Sequence, residues 1–369
     1  MLLQNSSMKK AALLSALAFS VSLTACNGGT PNATDTASPG VTGGTGSTTA
    51  PVASGGANVS LTGAGASFPA PLYQRWFSDY YKQNPGTQIT YQSVGSGAGV
   101  EQFTKGTVDF GASDVGMKPE EIAKVAKGVV LLPMTAGSVV IAYNLPDVKG
   151  LKLTREVYAD IFAGKIKSWD DAKIAAANTG AKLPKLPITI VHRSDGSGTT
   201  AVFTKHLSAI SADWKKIGSG KTVNWPAGVG AKGNEGVTAQ LQQTPGTIGY
   251  TEYGFAKQQN LSMAILENKA KKFVEPTPES GAKTLASVTL PADLQAFIVD
   301  PEGADSYPIV TYTWILAYKK YDDPKKAEAL KKVIDWSLTE GQKTSSELGY
   351  IPLPAEVVTK VQAAAKTIQ

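Results

Sequence analysis

The chain reads as an α/β protein of two lobes, each a mostly parallel sheet flanked by helices. Three observations lead there. Short β-branched apolar runs, such as 139–143 and 188–191, alternate with segments whose apolar residues recur at helical spacing. Turns rich in glycine and hydroxyl residues separate the two kinds of segment, and three of them stand directly before a helix. Finally, residues 59–369 are too many for one ordinary hydrophobic core, so two lobes are expected.

Taken in order, a first strand is expected at 59–61 and a first helix at 69–82. Leu72, Trp76, Phe77 and Tyr80 share one face of that helix, and Pro69 suits its first position. A strand at 89–91, a helix opening near 97 and running to 104, and a short strand at 108–112 follow. A helix is expected at 119–126. The apolar runs 129–132 and 139–143 predict two buried strands. Helices at 154–162 and 170–177 precede a strand at 188–191 and the helix that opens near Thr200. Residues 235–242 read as a helix, 247–250 as a strand and 257–304 as largely irregular. A strand at 309–318 leads to a helix at 324–336 with Ala327, Leu330, Val333 and Ile334 inward. No repeat of fixed period is visible.

The first residues carry a different message. Lys9 and Lys10 precede an apolar stretch at 11–23 that is too short to span a bilayer, followed by Leu23-Thr24-Ala25-Cys26. This describes an export signal at 1–25, and Leu-Thr-Ala-Cys resembles the bacterial lipoprotein signal, in which the cysteine becomes the lipidated first residue. A free thiol behind an ordinary signal peptide is the plainer alternative. Cys26 is the only cysteine, so no intrachain disulfide can form. From Asn27 to Asn58, every residue except Asp35, Val41 and Val52 is Gly, Ser, Thr, Pro, Ala or Asn. Residues 26–58 are therefore expected to be a lipidated cysteine and a flexible tether spanning roughly 30 Å. The net charge of +6 is mild and the lysines are widely spread, which argues against a nucleic-acid partner. No later stretch reads as a transmembrane helix. No pair of Cys or His residues has metal spacing, so neither metal nor cofactor is expected.

The chemistry concentrates in the turns. Arg193-Ser194-Asp195-Gly196-Ser197-Gly198-Thr199 joins a strand to a helix start, where unpaired N–H groups and a partial positive charge favour an anion. Arg193 can add two-pronged donation, and Asp195 is near enough to hold it in place. Gly63-Ala64-Gly65-Ala66-Ser67-Phe68 and Gly95-Ser96-Gly97-Ala98-Gly99 have the same composition and the same position before a helix. Helix capping alone is a sufficient reason for a Ser or Thr in any one such turn. Three together with an arginine point to a tetrahedral oxyanion held by several helix starts. Asp114, in Ala112-Ser113-Asp114-Val115, is a plausible turn residue. In an oxyanion site it has a further use, because an ionised carboxylate only accepts hydrogen bonds. It can take the proton of hydrogen phosphate, whereas sulfate has none to offer and meets repulsion.

Thr62 to Pro71 (TGAGASFPAP), Asp109-Phe110-Gly111-Ala112-Ser113-Asp114 and the heptapeptide at Arg193 closely resemble the bacterial periplasmic phosphate-binding proteins, which serve the phosphate-specific ABC importer. Further matches are Gly164-Lys165-Ile166 with Trp169-Asp170-Asp171, Trp225-Pro226 with Lys232-Gly233-Asn234, and Pro245-Gly246-Thr247-Ile248-Gly249-Tyr250. The resemblance runs from about Leu61 to the C-terminal helices. It implies a two-lobed periplasmic-binding-protein (Venus-flytrap) fold, with 59–138 plus 307–369 as one lobe, 139–306 as the other, and the ligand in the cleft between them. By position, Ser67 supplies its hydroxyl and Phe68 its N–H. Ser96 matches the second-turn serine and Asp114 the proton acceptor. Arg193, Ser197, Gly198 and Thr199 are the contacts of the second lobe, with Asp195 supporting Arg193. Two departures stand out: Ser67 replaces a common Thr and keeps the hydroxyl, and His192 stands where a second Arg can occur. The implied function is capture of inorganic phosphate outside the cytoplasmic membrane and delivery to importer permease subunits with their ATPase. The protein is expected to act as a lipid-anchored monomer in the periplasmic or other extracytoplasmic space.

Other classes fit less well. A Gly-x-Ser-x-Gly nucleophile around Ser197 would need Gly where Asp195 stands. The only histidines, His192 and His206, read as surface or strand-end residues rather than as a base. Gly218-Ser219-Gly220-Lys221-Thr222 has Lys215 at the first glycine position of a phosphate loop and reads as an exposed loop. A phosphate-ester hydrolase, or a surface phosphate sensor or adhesin on the same fold, remains the alternative.

Overall fold

The computed structural model describes residues 59–369. The export signal at 1–25, Cys26 and the tether lie outside the described residues. Within them, β1 (Val59–Gly65), β2 (Thr87–Ser93), β3 (Phe110–Ser113) and β4 (Val129–Tyr143) come first. They are followed by β5 (Lys152–Leu153), β6 (Thr189–Arg193), β7 (Val229–Ala231) and β8 (Thr247–Glu252). Then come β9 (Ser262–Met263), β10 (Ile265–Glu267), β11 (Phe273–Val274) and β12 (Val310–Tyr318). Nine strands share one sheet in the order β2-β1-β3-β12-β4-β8-β6-β7, with β9 also on β4, while β11-β10-β5 form a small second sheet.

In the large sheet the parallel pairs are those joined through helices, β1 with β2 and β3 and β6 with β7 and β8; in the small sheet β5 and β10 are parallel. The long strands β4 and β12 run antiparallel to their neighbours. β4 changes partner midway. Val129 to Ser138 lie along β12, and Val139 to Tyr143 along β8. The two strands expected at 129–132 and 139–143 are thus one 15-residue strand, buried throughout. The proline that breaks the sequence pattern is absorbed by a register shift: Thr313 pairs with Thr135 and Trp314 with Pro133, so Met134 is the extra residue.

The helix Ala70–Gln83 buries the predicted Leu72, Trp76, Phe77 and Tyr80, and Pro324–Leu338 buries Ala327, Leu330, Val333 and Ile334. The helix expected at 119–126 shrinks to Pro119–Ile122, whose residues bury no apolar face that could extend it. The stretch 257–304 holds β9, β10, β11 and the helix Pro278–Ala286. The helices Ala212–Ile217, Tyr253–Gln258 and Ala355–Ala365 are additions to the expected set. In the core, Trp76, Trp169, Trp214 and Trp314 are fully buried. Each indole N–H donates to a backbone carbonyl, those of Gly341, Gly246, Ala159 and Leu294, at 2.7–3.0 Å, so none leaves an orphaned donor. Among the described residues no helix is long and apolar enough to cross a membrane.

Candidate functional site

The predicted turns gather because parallel strands end together. Ser67 follows β1, Ser96 follows β2, Asp114 follows β3 and Arg193 ends β6. The carboxyl ends of such strands are the usual place for a ligand in an α/β sheet. Ser67, Phe68, Ser96, Asp114, Arg193, Ser197 and Thr199 are all buried.

Contacts tie these turns into one cage. Thr199 Oγ1 donates to Asp114 Oδ2 at 3.4 Å, and Arg193 Nη1 donates to Thr199 Oγ1 at 3.4 Å. Ser96 Oγ accepts from the Asp114 N–H at 3.2 Å and lies 3.4 Å from Oδ2. A Cβ at Gly198 would sit 2.5 Å from Ser96 Oγ and 2.7 Å from Asp114 Cβ, so only glycine lets the helix start approach the carboxylate this closely. The Gly97 N–H donates to the Gly196 carbonyl at 2.7 Å, and at positive φ Gly95 leaves room for Asp195, with which any Cβ would collide.

Of the three turn hydroxyls, only one caps a helix. Ser197 Oγ accepts from the Thr200 N–H at 3.0 Å at the start of Gly198–Ile210. Ser96 is the first residue of its helix, and Ser67 lies ahead of a helix without a side-chain cap, so both hydroxyls are turned to other elements. Ser67 Oγ accepts from the Asn234 backbone N–H at 3.1 Å and from its side-chain amide at 3.0 Å. Among the described residues no protein acceptor meets the N–H of Phe68, Gly198 or Thr199. For the latter two the reason is their place in the first helical turn.

Arg193 is gripped along one edge. Nε and Nη2 donate to the two oxygens of Asp195 at 2.7 and 2.6 Å, which leaves Nη1 toward Thr199. Burial would raise the pKa of Asp195, but Arg193 and the Gly233 N–H, donating at 3.1 Å, hold it below its ordinary value. Asp114 is shifted the other way. Burial raises its pKa to about 6, against the opposing pull of the Thr313 hydroxyl, Arg193, Thr199 and Ser96. Thr313 Oγ1 donates to Asp114 Oδ1 at 2.9 Å, and Thr311 Oγ1 donates to the Asp114 carbonyl at 3.2 Å.

Asn234 and Thr313 are the residues that turn-by-turn reading misses. Asn234 sits in a motif already marked by the resemblance, but its own pattern carries no sign that it reaches Ser67. Its Oδ1 accepts from Thr251 Oγ1 and the Glu252 N–H, both at 3.1 Å, so its amide is fixed from behind. Behind it lies Glu252, buried, with a pKa pushed up to about 8 by burial despite the N–H groups of Gly254 and Phe255.

Two expectations need correction. His206 is no surface residue: it is buried and hydrogen-bonded to Tyr158 at 2.8 Å, with burial lowering its pKa to about 4. His192 does lie near a strand end, one residue before Arg193, stacked on Trp225 with centroids 5.0 Å apart. The loop at 218–222 is not simply exposed. The Lys221 carbonyl accepts from the Ser197 N–H at 2.8 Å, Gly220 N–H donates to Thr204, and Lys221 Nζ pairs with Glu121 at 3.0 Å. The cage thus gathers donors around the carboxylate of Asp114. Among the described residues no cluster of three or more His, Cys, Asp or Glu could hold a metal ion.

Comparison with known proteins agrees with this architecture. A PBP superfamily domain matches residues 36–340. The phosphate-binding protein PstS of Pasteurella multocida is 45% identical over 312 residues, covering 83% of this chain and 90% of that protein. The phosphate-binding protein PstS of Xylella fastidiosa (strain Temecula1) is 41% identical over 352 residues, covering 94% and 95%. Among solved structures, a high-affinity periplasmic phosphate-binding protein with bound phosphate superposes with a TM-score of 0.68 at 21% identity, covering 83% of this chain and 93% of that one. The phosphate-binding protein of Stenotrophomonas maltophilia gives 0.66 at 18% identity, covering 83% and 94%. On this ground the chain belongs to the PBP superfamily and, within it, to the family of the phosphate-binding protein PstS.

Proposed function

We propose that this protein binds inorganic phosphate outside the cytoplasmic membrane and hands it, chemically unchanged, to the permease subunits of a phosphate ABC importer. The observation that carries the reading is a single buried carboxylate, Asp114, set among donors from Arg193, Ser96 and Thr199. A hydrogen phosphate ion satisfies both sides of that cage: its bare oxygens accept from Ser67, Ser96, Ser197, Thr199, Arg193 and the N–H groups of Phe68, Gly198 and Thr199, and its own proton goes to Asp114. Sulfate would leave Asp114 facing a second anion.

In this reading residues 59–138 with 307–369 form one lobe and 139–306 the other, meeting where β4 changes partner at Ser138 and Val139. The contacts Ser67 to Asn234, Gly97 to Gly196 and Asp114 to Thr199 all cross between them, as they do when such lobes close on a ligand. Asp195 acts on phosphate only through Arg193. The lipidated Cys26 and the tether keep a monomer close to the membrane and its ATPase-driven permease. The test is calorimetric titration of the full-length chain with phosphate and with sulfate. Phosphate binding at one site, with sulfate far weaker and no phosphate released from esters, is the expected result. Equal binding of the two ions overturns the selectivity mechanism, and ester turnover overturns the assignment as a binding protein.

A further inference from the structure

A second cavity, of about 350 Å³, lies beside the phosphate cage. It reaches the same elements from another side. Val115 and Gly116 follow Asp114, Ala201 and Val202 follow Thr199, and Thr311 is bonded to the Asp114 carbonyl. The volume is within the range of small-ligand sites, and the lining sets apolar side chains beside six polar or charged ones. Val115, Val202, Ile298 and Val299 supply apolar wall.

The charged groups at this cavity do not balance. Lys118, Lys205 and Lys221 line it; Lys221 pairs with Glu121 at 3.0 Å and Lys118 with Glu120 at 3.9 Å, which leaves Lys205 over. Lys205 Nζ lies 4.0 Å from the centroid of the Phe297 ring, and among the described residues no carboxylate comes within ion-pair distance of it. Lys205 is exposed at the rim, and partial desolvation lowers its pKa. Phe297 is 52% exposed, a large ring left half in solvent next to an apolar hollow.

We propose that this cavity is an accessory site for a small organic anion with a flat apolar body, an aromatic carboxylate being the simplest case. The ring lies against Val202, Ile298 and Phe297, and the carboxylate meets the lysines, Lys205 above all. The apolar body of such a ligand does not suit the phosphate cage, which is built of polar groups.

The probe is 2-naphthoate, titrated calorimetrically into the full-length chain with and without saturating phosphate, beside its uncharged analogue 2-naphthylmethanol. The expected result is one naphthoate per chain, bound at least tenfold more tightly than the alcohol. Val202→Trp, which fills the hollow, is expected to weaken naphthoate at least tenfold. Lys205→Gln is expected to bring naphthoate down to the level of the alcohol. Equal binding of the two probes, binding of neither, or naphthoate binding indifferent to both substitutions overturns the proposal. Should Val202→Trp not fold, the rim variant Lys205→Gln decides alone. Phosphate binding is read in its own titration, so failure of the cage and failure of the accessory site are told apart.

Discussion

Replacing Asp114 by asparagine should make the unliganded protein more stable while making its binding site less selective. Asp114 is fully enclosed, and burial moves its pKa from 3.8 to about 6. A carboxyl group whose folded-state pKa is raised contributes stability below the unfolded value, and that contribution disappears as the pH rises through the folded value. Above pH 6 the folded wild type therefore carries a charge it holds less comfortably than the unfolded chain does. At about 1.4 kcal/mol per pKa unit, the handicap at pH 8 is about 3 kcal/mol. Asparagine keeps the shape and has no charge to bury. Its Oδ1 can still accept from Thr313, and the hydroxyls of Ser96 and Thr199 can turn to accept from its amide. Thermal unfolding of phosphate-free protein, followed by circular dichroism, should place Asp114→Asn above wild type at pH 8 by on the order of 5 °C. The gap should narrow below pH 6 and close near pH 4, where the carboxyl is neutral in both states. A wild type as stable as the variant at pH 8, or a gap independent of pH, would refute the burial argument. In competition titrations the same variant should lose much of the preference for phosphate over sulfate, because the repulsive carboxylate is gone; an undiminished preference removes Asp114 from that role.

Other substitutions test other parts of the cage. Arg193→Ala removes charge-assisted hydrogen bonds worth about 1.5–3 kcal/mol and should weaken phosphate binding by roughly ten- to a hundredfold in calorimetry; unchanged affinity would take Arg193 out of the site. Arg193→Lys should rescue little, since an ammonium cannot span both oxygens of Asp195 as Nε and Nη2 do. Gly198→Ala drives a methyl group onto Ser96 and Asp114. Overpacking of about 1–3 kcal/mol should lower both the melting temperature and phosphate affinity, and wild-type behaviour in both would show that the helix start has slack. For the anchor, Cys26→Ser should shift the chain from the membrane fraction to the soluble extracytoplasmic fraction, and an unchanged distribution would speak against lipidation at Cys26.

What could be read from the sequence was local. Ser197 as a helix cap and the Arg193–Asp195 pair are settled within three residues of chain, so composition and spacing suffice. The faces of the helices Ala70–Gln83 and Pro324–Leu338 were equally plain, because apolar residues at helical spacing can be buried in only one way. Tertiary structure alone decided the rest. That Ser67 and Ser96 leave capping aside for other partners depends on strands ending side by side, and Asn234 reaches Ser67 from 167 positions away. Thr313 reaches Asp114 from 199 positions away, across a register set by a bulge at Met134. Pro133 and Gly137 look like breaks in a strand until the antiparallel partners β12 and β8 hold all fifteen residues of β4 extended. Side-chain type and spacing determine which groups can meet an anion. Which of them come together, and how deeply Asp114 is enclosed, follow from pairing and packing between distant segments, which no local pattern encodes.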